Sequence, residues 1–195
     1  NINTVPVDPP STLINHDTQV AGIAVARGFG DHCNDNGAAP EATLYSVAII
    51  YDSDFAAYLK KLVEPSIPSE KCRVIFTVIQ NTSTNINNGE AFWSLLYDYY
   101  AYTFDVIFAN AAGNGAASYE SYPYSTPPTN PGDAYNGITT AGLITTPSTD
   151  QYDYDKVGSW SLSGPTTDGR RKPEVAAPSS NQVAPAYTDP TVWAS

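Results

Sequence analysis

The sequence predicts an α/β protein with three layers, in which a mainly parallel β-sheet carries helices on both faces. Segments with the pattern of strands alternate along the chain with segments that have the pattern of helices. The strand segments are apolar throughout, which is typical of parallel strands that are buried on both sides. With 195 residues and 42% hydrophobic content, the chain can bury one sizeable core, and no low-complexity linker divides it. We therefore expect a single domain over residues 1–195.

The first predicted elements are a helix and a strand. Small and apolar residues after His16, among them Val20, Ile23 and Ala24, predict a tightly packed helix that starts near this histidine. An unbroken apolar run then predicts a strand over residues 43–50.

A second helix is predicted to begin at Asp52 or Ser53, since both residue types cap helices well. Three apolar residues of this helix fall on one predicted face: Phe55, Leu59 and Leu62. Pro65 and Pro68 should end it, because proline lacks the backbone donor that a helix interior needs.

The second half of the chain continues the alternation. Strands are predicted over residues 74–79, 105–111 and 137–144, with a helix over 89–100 between the first two. The predicted apolar face of that helix consists of Phe92, Leu95, Leu96 and Tyr99. In sheets of this kind ligands bind beyond the carboxyl ends of the strands, so the connections after each strand are the place to seek a site.

The charge balance argues against several classes of partner. Twenty acidic residues against nine basic ones give a formal charge of −11, whereas nucleic-acid binding needs clustered Lys and Arg. No apolar run approaches the roughly 20 residues of a membrane span, so no membrane partner is expected. The acidic composition, rich in Tyr, Thr, Asn and Pro, predicts a secreted, extracellular protein. Cys33 and Cys72 fit either one disulfide or two buried thiols.

Three separated segments carry polar residues and glycines in a specific order. The first reads H-D-T-Q-V-A-G-I over residues 16–23 and is followed by G-A-A-P-E-A over 37–42. The second reads A-A-G-N-G over 111–115, and the third reads S-G-P-T-T-D-G-R-R-K-P-E-V-A-A-P over 163–178. In this order they resemble the histidine motif, the A-A-G-N segment and the G-P-T-x-D-G-R-x-K-P-D-V segment of the subtilisin-like serine proteases, the subtilases. The third segment is the most specific of the set.

The resemblance implies an endopeptidase that hydrolyses peptide bonds through an acyl-enzyme. A serine hydroxyl is a weak nucleophile at neutral pH and needs a base with a pKa near 7, which an imidazole provides. His16 matches the family's histidine and is expected to act as general base and then as general acid. A surface or helix-capping histidine is the alternative that the residue alone leaves open.

Asn114 matches the family's oxyanion asparagine. It follows a predicted strand in a Gly-flanked turn, where a side-chain amide can point at the oxygen of a tetrahedral intermediate. Without the resemblance, it could equally be an asparagine that the turn itself requires.

Residues 78–84 read V-I-Q-N-T-S-T and are similar to the family's V-I-N-x-S stretch, which pairs with the substrate backbone. Thr82, Ser83 and Thr84 are therefore candidate substrate-binding residues. Thr82 replaces the family's serine and no glycine follows, which leaves the shape of the side-chain pocket open. Backbone pairing itself uses only main-chain groups.

The resemblance also implies a catalytic aspartate before the histidine and a nucleophilic serine in a G-T-S-M-A segment. Only fifteen residues precede His16, and the acid among them, Asp8, lies in V-D-P-P without a strand before it. Ser195 follows Pro178 about three residues too early for the family's serine and lacks the Gly-Thr that precedes it. We expect a partial peptidase domain that lacks the aspartate strand and the serine helix and is inactive alone.

The expected partners are a peptide or protein substrate and the remaining segments of the same protease. The chemistry requires no cofactor, and no metal ligand is assigned. Many subtilases bind calcium, so a calcium site stays an open alternative without assigned ligands. The cluster of Asp31, His32, Cys33 and Asp35 fits no zinc pattern, and Asp150, Asp153 and Asp155 lack the Gly-containing loop of a calcium site. Two alternatives stay open: a catalytically inactive subtilase-fold module for binding or assembly, and a chain that receives its aspartate and serine from a partner segment.

Overall fold

The structure is a computed structural model that describes residues 2–4, 11–28, 36–47, 52–65, 68, 71–81, 86–115, 126–144, 156–180, 184–186 and 189–194. The chain forms two compact units. The first unit contains residues 1–66 and 181–195, and the second contains residues 67–180.

Strands and helices alternate over the first seven described elements, and the four described elements after them are strands. The elements are β1 (Ile2–Thr4), α1 (Ser11–Val25), β2 (Leu44–Ser46), α2 (Asp52–Val63), β3 (Val74–Thr77), α3 (Phe92–Phe104), β4 (Ile107–Ala111), β5 (Gly137–Leu143), β6 (Val175–Pro178), β7 (Ala184–Ala186) and β8 (Asp189–Ala194). In the first unit β1 pairs with β2 in parallel and β7 pairs with β8 in antiparallel orientation. In the second unit β3, β4, β5 and β6 form one parallel sheet in that order. The predicted parallel sheet is confirmed.

Helix α1 begins five residues earlier than the sequence predicts. Its first residue is Ser11, so His16 lies in the second turn and not at the start. The sequence offers the reason, because Ser11 follows two prolines and serine is a preferred residue at a helix start. The motif starts at His16, whereas the helix starts at the serine that follows the prolines.

The carboxyl end of α1 is closed by the segment that carries the second part of the histidine motif. The main-chain N–H groups of residues 37–39 donate to the carbonyls of Ala26, Ile23 and Ala24 at 2.8–2.9 Å. A Cβ at Gly37 would lie 2.6 Å from the backbone nitrogen of Val25, so only glycine allows this approach. The orphan carbonyls of the helix end are thereby satisfied.

Helix α2 ends at Val63, just before Pro65, as predicted. Its buried residues are Phe55, Leu59 and Val63, while Leu62 is only half-buried. The prediction of Leu62 on the buried face is therefore wrong by one residue. The core follows an i, i+4, i+8 row along the helix.

The sheet of the second unit has one buried and one exposed face. Ile75, Phe108 and Thr139 are at most 5% exposed, whereas Val74 and Ile107, which are paired neighbours on the other face, are 56% and 52% exposed. The strands are apolar on both faces, as predicted, but along β3, β4 and β5 burial alternates with the period of two that a pleated strand imposes, whereas all four residues of β6 are exposed.

Helix α3 packs on the buried face of the sheet through residues other than those of its predicted apolar face. Its buried residues are Trp93, Ser94, Tyr97 and Tyr100, and the Tyr97 ring stacks on Phe108 with a centroid distance of 4.1 Å. Phe92, Leu95 and Tyr99 of the predicted face are 52–62% exposed. Large apolar and aromatic residues occur on all sides of this helix, so their spacing alone does not select the packed face. Burial of Tyr97 raises the pKa of its hydroxyl.

The turn that leads into β5 is held by carboxylates. The carboxylate of Asp133, which is fully buried, accepts hydrogen bonds from the Ser94 hydroxyl and from the main-chain N–H of Gly89. Asp98 on α3 accepts from the main-chain N–H groups of Tyr135 and Asn136. Helix α3 therefore fixes the residues at which β5 begins.

The segment from Ser163 to Lys172 links this turn to β6. Lys172 is 5% exposed, and its Nζ donates to the carbonyl of Gly137 at 2.7 Å and lies 2.7 Å from Glu174 Oε1. The other oxygen of Glu174 accepts the main-chain N–H of Thr139. The ion pair of Lys172 and Glu174 thus joins β5 to β6. The buried charge of Lys172 is paired and hydrogen-bonded.

Asp168 in the same segment should give the chain acid-dependent stability. The hydrogen bond from Arg170 Nε, 2.7 Å away, lowers the pKa of this carboxyl from 3.8 to about 2. The unfolded state therefore takes up the proton first as the pH falls, so the stabilisation is complete above about pH 4 and is lost towards pH 2. Because the side chain is 31% exposed, we expect about 1 kcal/mol after solvent screening.

The prediction is tested with Asp168→Asn. This variant should lower the free energy of unfolding by about 1 kcal/mol at pH 7 and by clearly less at pH 3, as measured by urea unfolding. Glu41→Gln, which alters an exposed ion pair of the first unit, serves as the control and should change little at either pH. An equal loss for Asp168→Asn at both pH values would contradict the linkage to the carboxyl's pKa.

Candidate active site

Polar groups gather where the strands of the second unit end. Because β3 to β6 are parallel, their carboxyl ends lie at one edge of the sheet. Gln80 follows β3 there, Gly113 and Asn114 follow β4, and Ser179 follows β6. This edge is the candidate active site of the unit.

The turn after β4 is fixed by hydrogen bonds from three directions. The N–H of Ala112 donates to Thr140 O on β5, and Ala112 O accepts from Thr129 N–H. Further along the turn, Gly115 N–H donates to Trp160 O at 2.7 Å, while Gly113 O accepts from Leu162 N–H at 3.1 Å. The main chain around Asn114 is therefore fixed by hydrogen bonds to β5, to Thr129 and to the segment over residues 160–162.

Gly113 is required by both its conformation and its surroundings. Its φ of +108° lies in a region that side chains disfavour. A Cβ at this position would also lie 2.5 Å from Thr129 Oγ1 and 2.9 Å from Leu162 Cδ1. Glycine at position 113 thus allows the chain to turn where the side chains of Thr129 and Leu162 leave no room for a Cβ.

Asn114 presents its side chain to solvent. Its main-chain N–H donates to Gln80 Oε1 at 2.7 Å. The donor that it can offer to a bound molecule is therefore the side-chain amide, the group that a negatively charged oxygen at this edge would need.

His16 lies in the first unit, in the second turn of α1, and its side chain is exposed. Further along α1, Gly22 is buried, and the helix packs against β7 and β2. The neighbouring Asp17 is half-buried; burial raises the pKa of its carboxyl, while the charge of His16 acts in the opposite direction. An exposed imidazole on a packed helix can exchange protons with a bound substrate.

The remaining site predictions fall outside the described residues. These are the candidate substrate-binding residues Thr82, Ser83 and Thr84; Asp8 and Ser195, to which the sequence assigns no catalytic role, also lie outside the described residues. Each of the two predicted catalytic residues, His16 and Asn114, is described within its own unit. Cys72 is a free, half-buried thiol whose pKa is raised by burial.

The hydrogen bond between Gln80 and Asn114 was missed by sequence reasoning. The two residues are 34 positions apart, and the sequence carries no signal that joins a glutamine after one strand to a turn after the next. The prediction that connections beyond the strand ends hold the site was the only available guide.

Comparison with known proteins identifies the family. The sequence profile described as the Subtilase family matches residues 3–193. The chain belongs to the subtilase family. This confirms the resemblance inferred from the three ordered segments and the predicted three-layer α/β fold, since the subtilase match and the parallel sheet agree.

A solved structure related to this subtilase chain is described as "S41 Psychrophilic Protease". The two share 22% sequence identity and superpose with a TM-score of 0.65, over 90% of this chain and 55% of the protease. The subtilase chain thus spans about half the length of that protease, with which it shares the fold. A comparison with curated protein sequences finds no match. Within the described ranges, none of the helices is both long and apolar enough to span a membrane.

Proposed function

We propose that this chain is the central part of a subtilisin-like serine endopeptidase, with one peptidase domain completed by segments outside it. The single observation that carries the proposal is the family match over residues 3–193 together with the exposed carboxamide of Asn114 at the carboxyl edge of a parallel sheet. The superposition covers 55% of the protease whose fold it shares, which supports a larger complete enzyme.

In the proposed reaction His16 transfers the proton and Asn114 stabilises the negative charge. The imidazole of His16 takes the proton of the serine hydroxyl as that oxygen attacks the scissile carbonyl, and then gives the proton to the leaving amine. The side-chain amide of Asn114 donates a hydrogen bond to the oxyanion of the tetrahedral intermediate. The serine and the aspartate that orients the imidazole are supplied by segments outside the chain.

The substrate is proposed to be a peptide or protein in extended conformation. Residues 82–84 are proposed to pair with its backbone, because residues 78–84 resemble the family's V-I-N-x-S stretch. The reaction needs no cofactor. The enzyme is proposed to be secreted, in keeping with the acidic, Lys-poor composition.

An active-site-directed fluorophosphonate tests the proposal, because it labels only a serine that a nearby base activates. The full-length protein should be labelled at a serine outside residues 1–195, and the 195-residue chain should remain unlabelled. A chain with Ser195→Ala is the control. Labelling of the chain that disappears in this control would overturn the assignment of the nucleophile. A full-length protein that folds but takes no label would overturn the protease function and favour the inactive binding module.

A further inference from the structure

The contact between Gln80 and Asn114 joins the ends of two strands through a side chain. Gln80 lies three residues beyond β3, and its Oε1 accepts the N–H of Asn114, which lies three residues beyond β4. The distance of 2.7 Å is short for a bond from a main-chain N–H to a neutral oxygen, whose usual value is near 2.9 Å.

The other described N–H donors of this turn bond to the main chain. Ala112 donates to Thr140 O and Gly115 donates to Trp160 O. Substitution of a side chain cannot remove those acceptors. Among the described bonds of the turn, the one at Asn114 is therefore the bond that a single side chain controls.

The same oxygen also lies beside Gly113, the residue before Asn114. A Cβ at Gly113 would lie 3.1 Å from Gln80 Oε1, next to Thr129 Oγ1 and Leu162 Cδ1. Gln80 thus contacts the turn at the asparagine and borders it at the glycine before it. Loss of the side-chain oxygen would remove the acceptor of the Asn114 N–H.

We propose that Gln80 is a positioning residue that holds Asn114 for oxyanion binding. This inference rests on the proposed protease function. A donor acts on the transition state only when it lies 2.7–3.1 Å from the place of the oxyanion, and a misplacement of about 1 Å can cost about a hundredfold in rate. An asparagine on a loosened turn keeps its amide but spends less time in the productive place.

The first experiment needs no catalysis. Amide hydrogen exchange is measured by NMR in the 195-residue chain with and without Gln80→Met, which keeps the length of the side chain and removes the acceptor. We expect exchange at Asn114 to become at least about tenfold faster, because its N–H then turns to water. Exchange at Ala112 and Gly115 should stay unchanged. An unchanged rate at Asn114 would overturn the proposed anchor.

The second experiment is a double-mutant cycle in the full-length protease. Gln80→Met should lower kcat about tenfold with little change in KM, because the oxyanion contact forms only in the transition state. In an Asn114→Ala background the same substitution should cost nothing further, since the two residues act as one unit. A tenfold loss in both backgrounds would show that Gln80 acts by some route other than Asn114 and would overturn the proposal.

The cycle separates the two levels of inference. If Asn114→Ala alone leaves kcat unchanged while the enzyme takes the fluorophosphonate, the oxyanion role fails, and with it the positioning role in catalysis. If Asn114→Ala lowers kcat but Gln80→Met does not, the oxyanion role stands and only the positioning role fails. Thermal unfolding of each variant excludes a general loss of structure, because Gln80 is exposed and its replacement should leave the core intact.

Discussion

His16→Ala in the full-length protease should lower kcat by about a millionfold, the loss found when the catalytic histidine of a subtilisin is replaced. The reason is that the imidazole of His16 is the group proposed to take the serine proton at neutral pH. Asn114→Ala should cost less, about 10²–10³-fold, because it removes one hydrogen bond to a charge and leaves the nucleophile active. Hydrolysis of a chromogenic peptide at saturating concentration measures both.

The chain offers a matched control for this experiment. It contains two histidines, and His32→Ala should leave kcat unchanged, since the resemblance gives that residue no role. KM should change little for Asn114→Ala. A smaller loss of kcat for His16→Ala than for Asn114→Ala would contradict the proposed proton path. A loss of kcat in His32→Ala would contradict the assignment of His16 as the base.

The parts of the fold that the sequence predicted are those that depend on local pattern. The β-branched run before Thr77 and the apolar run before Ala111 predicted strands, and the carboxyl end of α2 followed from Pro65. These signals act within a few residues. The parallel pairing of β3 with β4 then followed from helix α3 between them, whereas no described helix separates β4, β5 and β6.

The packed face of α3 depends on what the helix meets. Tyr97 is buried because it stacks on Phe108, a residue of the next strand, while the equally apolar Leu95 points elsewhere. Where one helix carries large apolar residues on every side, periodicity cannot rank its faces, and the tertiary partner decides. The same reasoning explains why the bond from Gln80 to Asn114 was not predicted.

The catalytic residues were predicted in a different way. His16 and Asn114 were selected through ordered motifs, and the structure places the first on a helix and the second in a strand-end turn. Physical chemistry alone left each with a plain alternative, a surface histidine and a turn asparagine. The motifs favoured the catalytic roles of both residues over those alternatives. The kinetic test of His16→Ala and Asn114→Ala decides whether the residues perform these roles.

Gly164→Ala should strongly destabilise the second unit. Gly164 has a φ of +73°, and a Cβ there would lie 1.6 Å from the carbonyl oxygen of Lys172. No rotamer relieves this overlap, because both atoms belong to the backbone or are fixed by it. Moving Lys172 would disturb its buried contacts with Gly137 and Glu174. We expect the free energy of unfolding to fall by more than about 4 kcal/mol.

Gly169→Ala separates the steric cause from the conformational one. Gly169 has a similar φ of +83° in the same segment, but a Cβ there would meet no atom within 4 Å. The alanine at 169 therefore bears only the cost of a left-handed backbone, about 1 kcal/mol. Urea unfolding of the two variants should differ by at least about 3 kcal/mol at equal m-values. Equal losses would mean that the conformation of Gly164, and not its approach to Lys172, is what the G-P-T-T-D-G-R segment requires of its first glycine.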